Sequence, residues 1–132
     1  MKMTIKIVTS KYKKEITDVT SLHLKTIDGD ITILPNHYPL VTAIDITSVT
    51  IKKGKEVINA FGSNGLMNVR EKEVILLLNA FEFENEIDID RALKSKERAE
   101  KRINSKDDQI DLVRAEASLK RAVMRLNIAK YN

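Results

Sequence analysis

Up to about Ala80 the chain alternates apolar and polar side chains in short bursts; after Phe81-Glu-Phe-Glu-Asn-Glu86 the repeat lengthens to three and four residues. A period of two sends successive side chains to opposite faces of a strand, whereas a period near 3.6 gathers them on one face of a helix. The pattern predicts strands at Thr4 to Thr9, Glu15 to Thr20, Leu22 to Thr26, Ile31 to Leu34 and Leu40 to Ile44, and again at Ser48 to Lys52, Glu56 to Phe61, Leu66 to Val69 and Val74 to Asn79. Asp28-Gly29, Lys53-Gly54 and Gly62-Ser-Asn-Gly65 supply turn chemistry between them, because glycine and asparagine tolerate positive φ. Closely spaced short strands imply a β-sandwich or flattened barrel. Val74-Ile-Leu-Leu-Leu78 is apolar on both pleat faces, which predicts a central strand.

The helical part reads as an antiparallel two-helix hairpin. Asp88 is a good N-cap for a helix from about Ile89 to Ile103, and Ser105-Lys-Asp-Asp108 reads as a capping box opening a second helix to about Lys130. In that second helix Leu112, Ala115, Leu119, Ala122, Leu126 and Ala129 form a seam of alternating large and small residues, answered by Ala92, Ser95 and Ala99 on the first. Alanine methyls bury little area at about 25 cal/mol per Å², so the seam is expected to hold the hairpin by a few kcal/mol and to let go; the pattern equally fits an ordinary stable helical hairpin. The expected class is therefore α+β, with a sandwich domain at residues 1–86 and a helical hairpin at 87–132.

Charge separates the same two parts. Residues 1–86 carry eleven Lys or Arg and eleven Asp or Glu, while 87–132 carry twelve against eight and hold all of the +4. The hairpin is thus expected to meet something acidic, whether a protein surface, a polyphosphate or nucleic acid. Arg114, Ser118, Arg121 and Arg125 follow one face of the second helix, and Arg91, Lys94, Arg98 and Arg102 make a similar stripe on the first.

Other chemistry is sparse. There is no cysteine, no Gly-x-x-x-x-Gly-Lys run and no second ligand spaced for a metal beside His23 or His37, so no catalytic or metal site is expected. The first ten residues alternate like a strand and no run of about eighteen apolar residues occurs, which predicts a soluble cytoplasmic chain without a signal peptide or membrane span. Both prolines, Pro35 and Pro39, fall in one stretch, where they fix φ twice and shape an exposed loop around Asn36, His37 and Tyr38. Such a loop serves as a docking surface; equally, its prolines keep an edge strand from pairing with strangers.

That stretch, Gly29-Asp-Ile-Thr-Ile-Leu-Pro-Asn-His-Tyr-Pro-Leu-Val-Thr-Ala-Ile44, resembles the Gly-Glu-x-Gly-Ile-Leu-Pro-Gly-His-x-Pro-Leu-x-Thr-x-Ile block of the epsilon subunit of the bacterial F-type rotary ATP synthase. Ile87-Asp-Ile-Asp-Arg-Ala92 is similar to that family's Ile-Asp-x-x-Arg-Ala motif, and Arg114-Ala-Glu-Ala-Ser-Leu-Lys-Arg-Ala-Val-Met-Arg-Leu126 to its last helix. The chain departs from the pattern at Asp30, Thr32, Asn36 and Asn79, which stand for Glu, two glycines and a common aspartate.

The resemblance implies a non-catalytic rotor subunit of the central stalk whose sandwich grips the gamma subunit and the c-ring, peripheral to the membrane at its cytoplasmic face. Asp30, His37 and Thr42 would face the ring and gamma. It also implies that the folded hairpin can hold ATP as a regulatory ligand, with no cofactor required for activity. Ile87, Asp88, Arg91 and Ala92 would then contact adenine and ribose beside Glu82, with Arg121 and Arg125 on the phosphates. Extended, the basic last helix would enter the alpha and beta catalytic hexamer and inhibit ATP hydrolysis. An RNA-binding protein with a basic helical arm is the alternative; the scarcity of aromatics after Phe83, where Tyr131 stands alone, disfavours base stacking.

Overall fold

The computed structural model describes residues 1–105 and 111–131, and divides into two units, Met1–Glu84 and Asn85–Asn132. The first unit holds eight strands: β1 (Met3–Val8), β2 (Lys13–Val19), β3 (Ser21–Thr26), β4 (Gly29–Ile33), β5 (Leu40–Ile44), β6 (Thr47–Lys53), β7 (Glu56–Val69) and β8 (Glu73–Phe83). They run in the order β2-β1-β8-β7-β5-β3-β4, with β6 paired to both β3 and β7. All pairings are antiparallel except β1 with β8. β8 lies between β1 and β7, as its two apolar faces predict.

One expectation fails at Gly62-Ser-Asn-Gly65. No turn forms there; β7 continues through it as a single strand of 14 residues. Its first half pairs with β6 as far as Gly62 opposite Thr47, and its second half pairs with β5 from Gly65 opposite Ile44. The small residues let one strand change partners and so bridge the two layers of the sandwich. Asn64, at φ 41°, takes the left-handed conformation within that bend. The expected turns at Asp28-Gly29 and Lys53-Gly54 do form, with Gly29 at φ 115° and Gly54 at 63°.

Alternation fills the space between the layers. Ile5, Ile7, Leu22, Leu24, Val49, Ile51, Met67 and Leu76 are all essentially inaccessible to solvent. Burying one such side chain stabilises the fold by about 1.5–3 kcal/mol, so this unit stands on its own core. At the far end of β8 the Tyr12 hydroxyl donates to the Phe81 carbonyl, and the Lys14 ammonium lies 4.4 Å from the Phe83 ring centre. These contacts hold the strand end that carries Glu82.

The second unit contains α1 (Ile89–Asn104) and α2 (Leu112–Ile128), preceded by a short 3-10 turn at Glu84–Glu86. Asp88 caps α1, its Oδ1 accepting from the Arg91 amide at 3.0 Å, as expected. The second cap differs. Ser105 closes α1, its amide donating to the Arg102 carbonyl, and Asp111 caps α2 by accepting from the Arg114 amide at 3.1 Å. Asp108, the other half of the expected capping box, lies outside the described residues. Ala92 and Ala99 of α1 and Ala115, Ala122 and Leu126 of α2 are buried, while Leu119 is half-buried. Leu112 departs from the expected seam: in the first turn of α2 it is 49% exposed. Ile128, outside the expected seam, is buried as well.

Candidate functional site

The strand register builds an apolar surface on the outer side of the first unit. Val8 of β1 stands opposite Leu77 of β8, Leu77 opposite Leu66 of β7, and Leu66 opposite Ala43 of β5. In the adjacent row Ile75 stands opposite Asn68, and Asn68 opposite Val41. Their neighbours along each strand, such as Ile7, Leu76 and Met67, point the other way and are buried, which fixes this set on the outer face. Leu66, Leu77 and Val41 are each about half exposed or more. A four-strand apolar row left in solvent marks a docking surface. The pattern carried the signal, since Val74-Ile-Leu-Leu-Leu78 is apolar on both faces, but that run reads first as deep burial; Val8, Val41, Leu66 and Leu77 were not expected as contact residues.

The double-proline loop joins β4 to β5. The His37 amide donates to the Leu34 carbonyl at 3.2 Å and the Asn36 amide to the Glu71 carbonyl at 2.9 Å, tying the loop both to itself and to the β7–β8 connection. Asn36 sits at φ 66°, a conformation that asparagine takes more readily than most residues. The His37 ring stacks on Tyr38 at 4.5 Å, with Nδ1 2.8 Å from the Tyr38 carbonyl oxygen, and Tyr38 is 73% exposed. Asp30, on β4, pairs with His23 Nε2 at 3.5 Å, while His23 Nδ1 lies 2.7 Å from the Thr32 hydroxyl. Thr42 belongs elsewhere: it is half-buried opposite Met67, on the side of β5 shared with Leu40 and Ile44.

Five arginines of the hairpin divide between two grooves, and Arg125 lines neither. Asp88, Arg91, Lys94, Glu97, Arg98 and Lys101 line a groove of about 540 Å³ along α1. Glu97 pairs with Lys101 at 3.1 Å, and Arg98 donates to the Ser95 hydroxyl at 3.3 Å. Arg102 lies instead in a cleft of about 550 Å³ with Arg114, Ser118 and Arg121 of α2, where Arg121 donates to the Ser118 hydroxyl at 3.2 Å. Of the residues expected around a nucleotide, Ile87 and Ala92 are buried, Asp88 already engages a carboxylate oxygen in its cap, and Arg91 is exposed. Arg125 is half-buried, and Glu82 lies half-buried on β8 opposite Phe61. Of these two grooves, Arg91 lines the one along α1 and Arg121 the cleft with α2. Among the described residues no group of three His, Asp or Glu side chains is placed to hold a metal ion, and no helix is long and apolar enough to cross a membrane.

Comparison with known proteins accounts for both units. Residues 2–84 match the family ATP synthase, Delta/Epsilon chain, beta-sandwich domain, and residues 85–130 match ATP synthase, Delta/Epsilon chain, long alpha-helix domain. The ATP synthase epsilon chain of Halalkalibacterium halodurans is 41% identical over 126 residues, covering 95% of each chain. That of Caldanaerobacter subterraneus subsp. tengcongensis is 45% identical over 116 residues, covering 86% of this chain and 84% of the relative. Among solved structures, a chain of the Euglena gracilis mitochondrial ATP synthase, OSCP/F1/c-ring in rotational state 1, matches the fold with a TM-score of 0.79 at 17% identity, over 93% of this chain and 78% of that one. A chain of the central stalk/c-ring of the Tetrahymena thermophila mitochondrial ATP synthase matches with a TM-score of 0.65 at 14% identity, over 100% and 98%. The alternative of an RNA-binding arm finds no support in these matches. With both units matched and identity above 40% over most of its length, the chain belongs to the ATP synthase delta/epsilon family as an epsilon chain.

Proposed function

We propose that this epsilon chain works as a non-catalytic rotor part of the central stalk, peripheral to the membrane at its cytoplasmic face, and that its hairpin restrains ATP hydrolysis. The observation that carries the reading is the apolar row Val8, Leu77, Leu66 and Ala43, half-buried at its ends and with its two central leucines about half in solvent, a face that needs a partner to leave water. Gamma is that partner. The loop with Tyr38 and His37, and Asp30 on the neighbouring strand, meet the polar surface of the c-ring. Thr42, facing inward, supports the strand instead of touching the ring.

Regulation belongs to the second unit. An alanine seam holds α1 on α2 weakly, and their basic faces suit the acidic surface of the catalytic alpha and beta hexamer. ATP bound to the folded hairpin through Asp88, Arg91 and Arg125, with Arg121 turning in, stabilises that pose by RT ln(1 + [L]/Kd), about 2.7 kcal/mol at a hundredfold excess over Kd. A bias of that size competes with a seam worth a few kcal/mol. ATP is a ligand here and undergoes no chemistry.

The test is to reconstitute gamma, alpha and beta with the full chain and with a chain ending at residue 86. Both versions should assemble, and the truncated one should give faster ATP hydrolysis. Equal hydrolysis rates remove the inhibitory role, and failure of the full chain to assemble removes the rotor role.

A further inference from the structure

We propose that the cleft between the last turn of α1 and the first half of α2 is a separate oxyanion site. It takes a compact oligophosphate, and by engaging Arg121 it opposes nucleotide binding. The competition rests on the nucleotide reading above; the anion site itself does not.

The cleft gathers three guanidinium groups. Arg102 comes from α1, and Arg114 and Arg121 come from α2, two turns apart on one face with Ser118 between them. Ala115 and Ala117 also line the cleft; their short side chains leave its floor open and account for its volume of about 550 Å³. Side chains of an α-helix lean toward its N-terminus, and the bond from Arg121 to the Ser118 hydroxyl at 3.2 Å holds its guanidinium in that direction, toward Arg114.

Among the described residues the charge in the cleft is unbalanced. Asp111 is the one acid among the described lining residues, and its Oδ1 accepts from the Arg114 amide as the cap of α2. No side-chain hydrogen bond or ion pair engages Arg102 or Arg114 among the described residues. Arginine does not give up its proton in a protein, so like charges stay crowded until an anion enters. The planar fork of each guanidinium matches two oxygens of a phosphate, and three forks from two helices favour a ligand carrying several oxyanion groups close together. An extended acidic peptide would follow one helix face; these groups instead converge from two helices at one end of the hairpin. Held by Ser118, the Arg121 guanidinium lines this cleft, and to meet a nucleotide at Arg91 and Arg125 it must leave that bond, so the two ligands compete for it.

Titrating the full chain with inorganic pyrophosphate tests this, read by calorimetry and by the guanidinium signals in NMR. Saturable binding should move the Arg102, Arg114 and Arg121 signals. Arg102→Gln with Arg114→Gln should weaken pyrophosphate at least about tenfold while leaving the melting temperature and ATP affinity unchanged. Arg91→Gln with Arg125→Gln should retain pyrophosphate binding. In the wild-type chain pyrophosphate should raise the apparent Kd for ATP, and in the Arg102, Arg114 variant this effect should disappear. Absence of pyrophosphate binding, or binding lost only with Arg91 and Arg125, overturns the proposal. A response to a glutamate-rich peptide but not to pyrophosphate likewise overturns it. If pyrophosphate binds as expected but ATP does not bind at all, the nucleotide reading fails and the anion site stands.

Discussion

Leu66 of β7 and Leu77 of β8 stand directly opposite each other in the antiparallel ladder, yet they leave 47% and 46% of their surface in solvent. Val8 and Ala43 extend the pair across β1 and β5. The row gives only part of its area to folding, so its substitution should separate assembly from stability. Leu66→Ser with Leu77→Ser should lower the unfolding free energy of the isolated chain by about 1.5–3 kcal/mol, the worth of the half of each side chain already buried, and leave it folded. The same change should weaken association with gamma at least about tenfold, because fully burying each leucine is worth about 1.5–3 kcal/mol. Analytical ultracentrifugation of the purified pair checks it, and unchanged association removes gamma from this face.

Gly65 faces a different constraint. A Cβ built there would lie 1.8 Å from the Leu77 carbonyl oxygen, an overlap with backbone that no rotamer relieves. Gly65→Ala should therefore open the β7–β8 ladder and cost more than about 3 kcal/mol in urea denaturation. Gly54→Ala makes the control: its turn has open space around the new methyl and only a positive φ of 63° to oppose it, so the loss should be about 1 kcal/mol. If the two variants lose equal stability, the close approach at Gly65 has no energetic weight.

That same segment shows where local sequence runs out. Gly62, Asn64 and Gly65 are good turn formers, and they predict a break that tertiary pairing overrides, because β7 must reach both β6 and β5. Gly29 and Gly54 lie between strands that pair with each other, so their turn chemistry was readable in place. In the hairpin the arginine stripes were legible from spacing. The direction of Arg121 was not, since it depends on the Ser118 hydroxyl and on Arg102 arriving from the other helix. Likewise Thr42 sits in a legible motif, but its face follows from the strand register.

Lys6 and Glu73 join β1 to β8 through an ion pair at 2.5 Å. The hydrogen bond from Lys6 is the main cause holding the Glu73 carboxyl below its ordinary range, against a smaller opposing effect of desolvation. Reciprocally, the hydrogen bond to Glu73 raises the Lys6 ammonium above its ordinary value. The Glu73 contribution is present above the usual carboxylate range and is lost as pH falls through the depressed value. The Lys6 contribution is present below the ordinary lysine range and is lost as pH rises through the raised value. Lys6→Met should thus be less stable than wild type at neutral pH, and the two chains should converge in acid as Glu73 protonates. Urea unfolding across the pH range reads the gap, which should stay small because both groups are solvated. A gap that widens in acid contradicts the assignment.

Asp88 performs a structural task at a position where a ligand contact is also expected, and the two roles can be separated by chemistry. Its Oδ1 accepts from the Arg91 amide, and so fixes the first turn that carries Arg91 and Ala92. Asp88→Ala should remove the cap at a cost of about 1 kcal/mol, while Asp88→Asn keeps a good cap without the charge. Amide hydrogen exchange over Ile89–Asn104 should accelerate in the alanine variant and stay near wild type in the asparagine one. ATP affinity then decides what the carboxylate does. If Asp88→Asn binds ATP like wild type and Asp88→Ala does not, Asp88 acts through the helix end it holds. If both variants lose affinity equally, the charge itself meets the ligand.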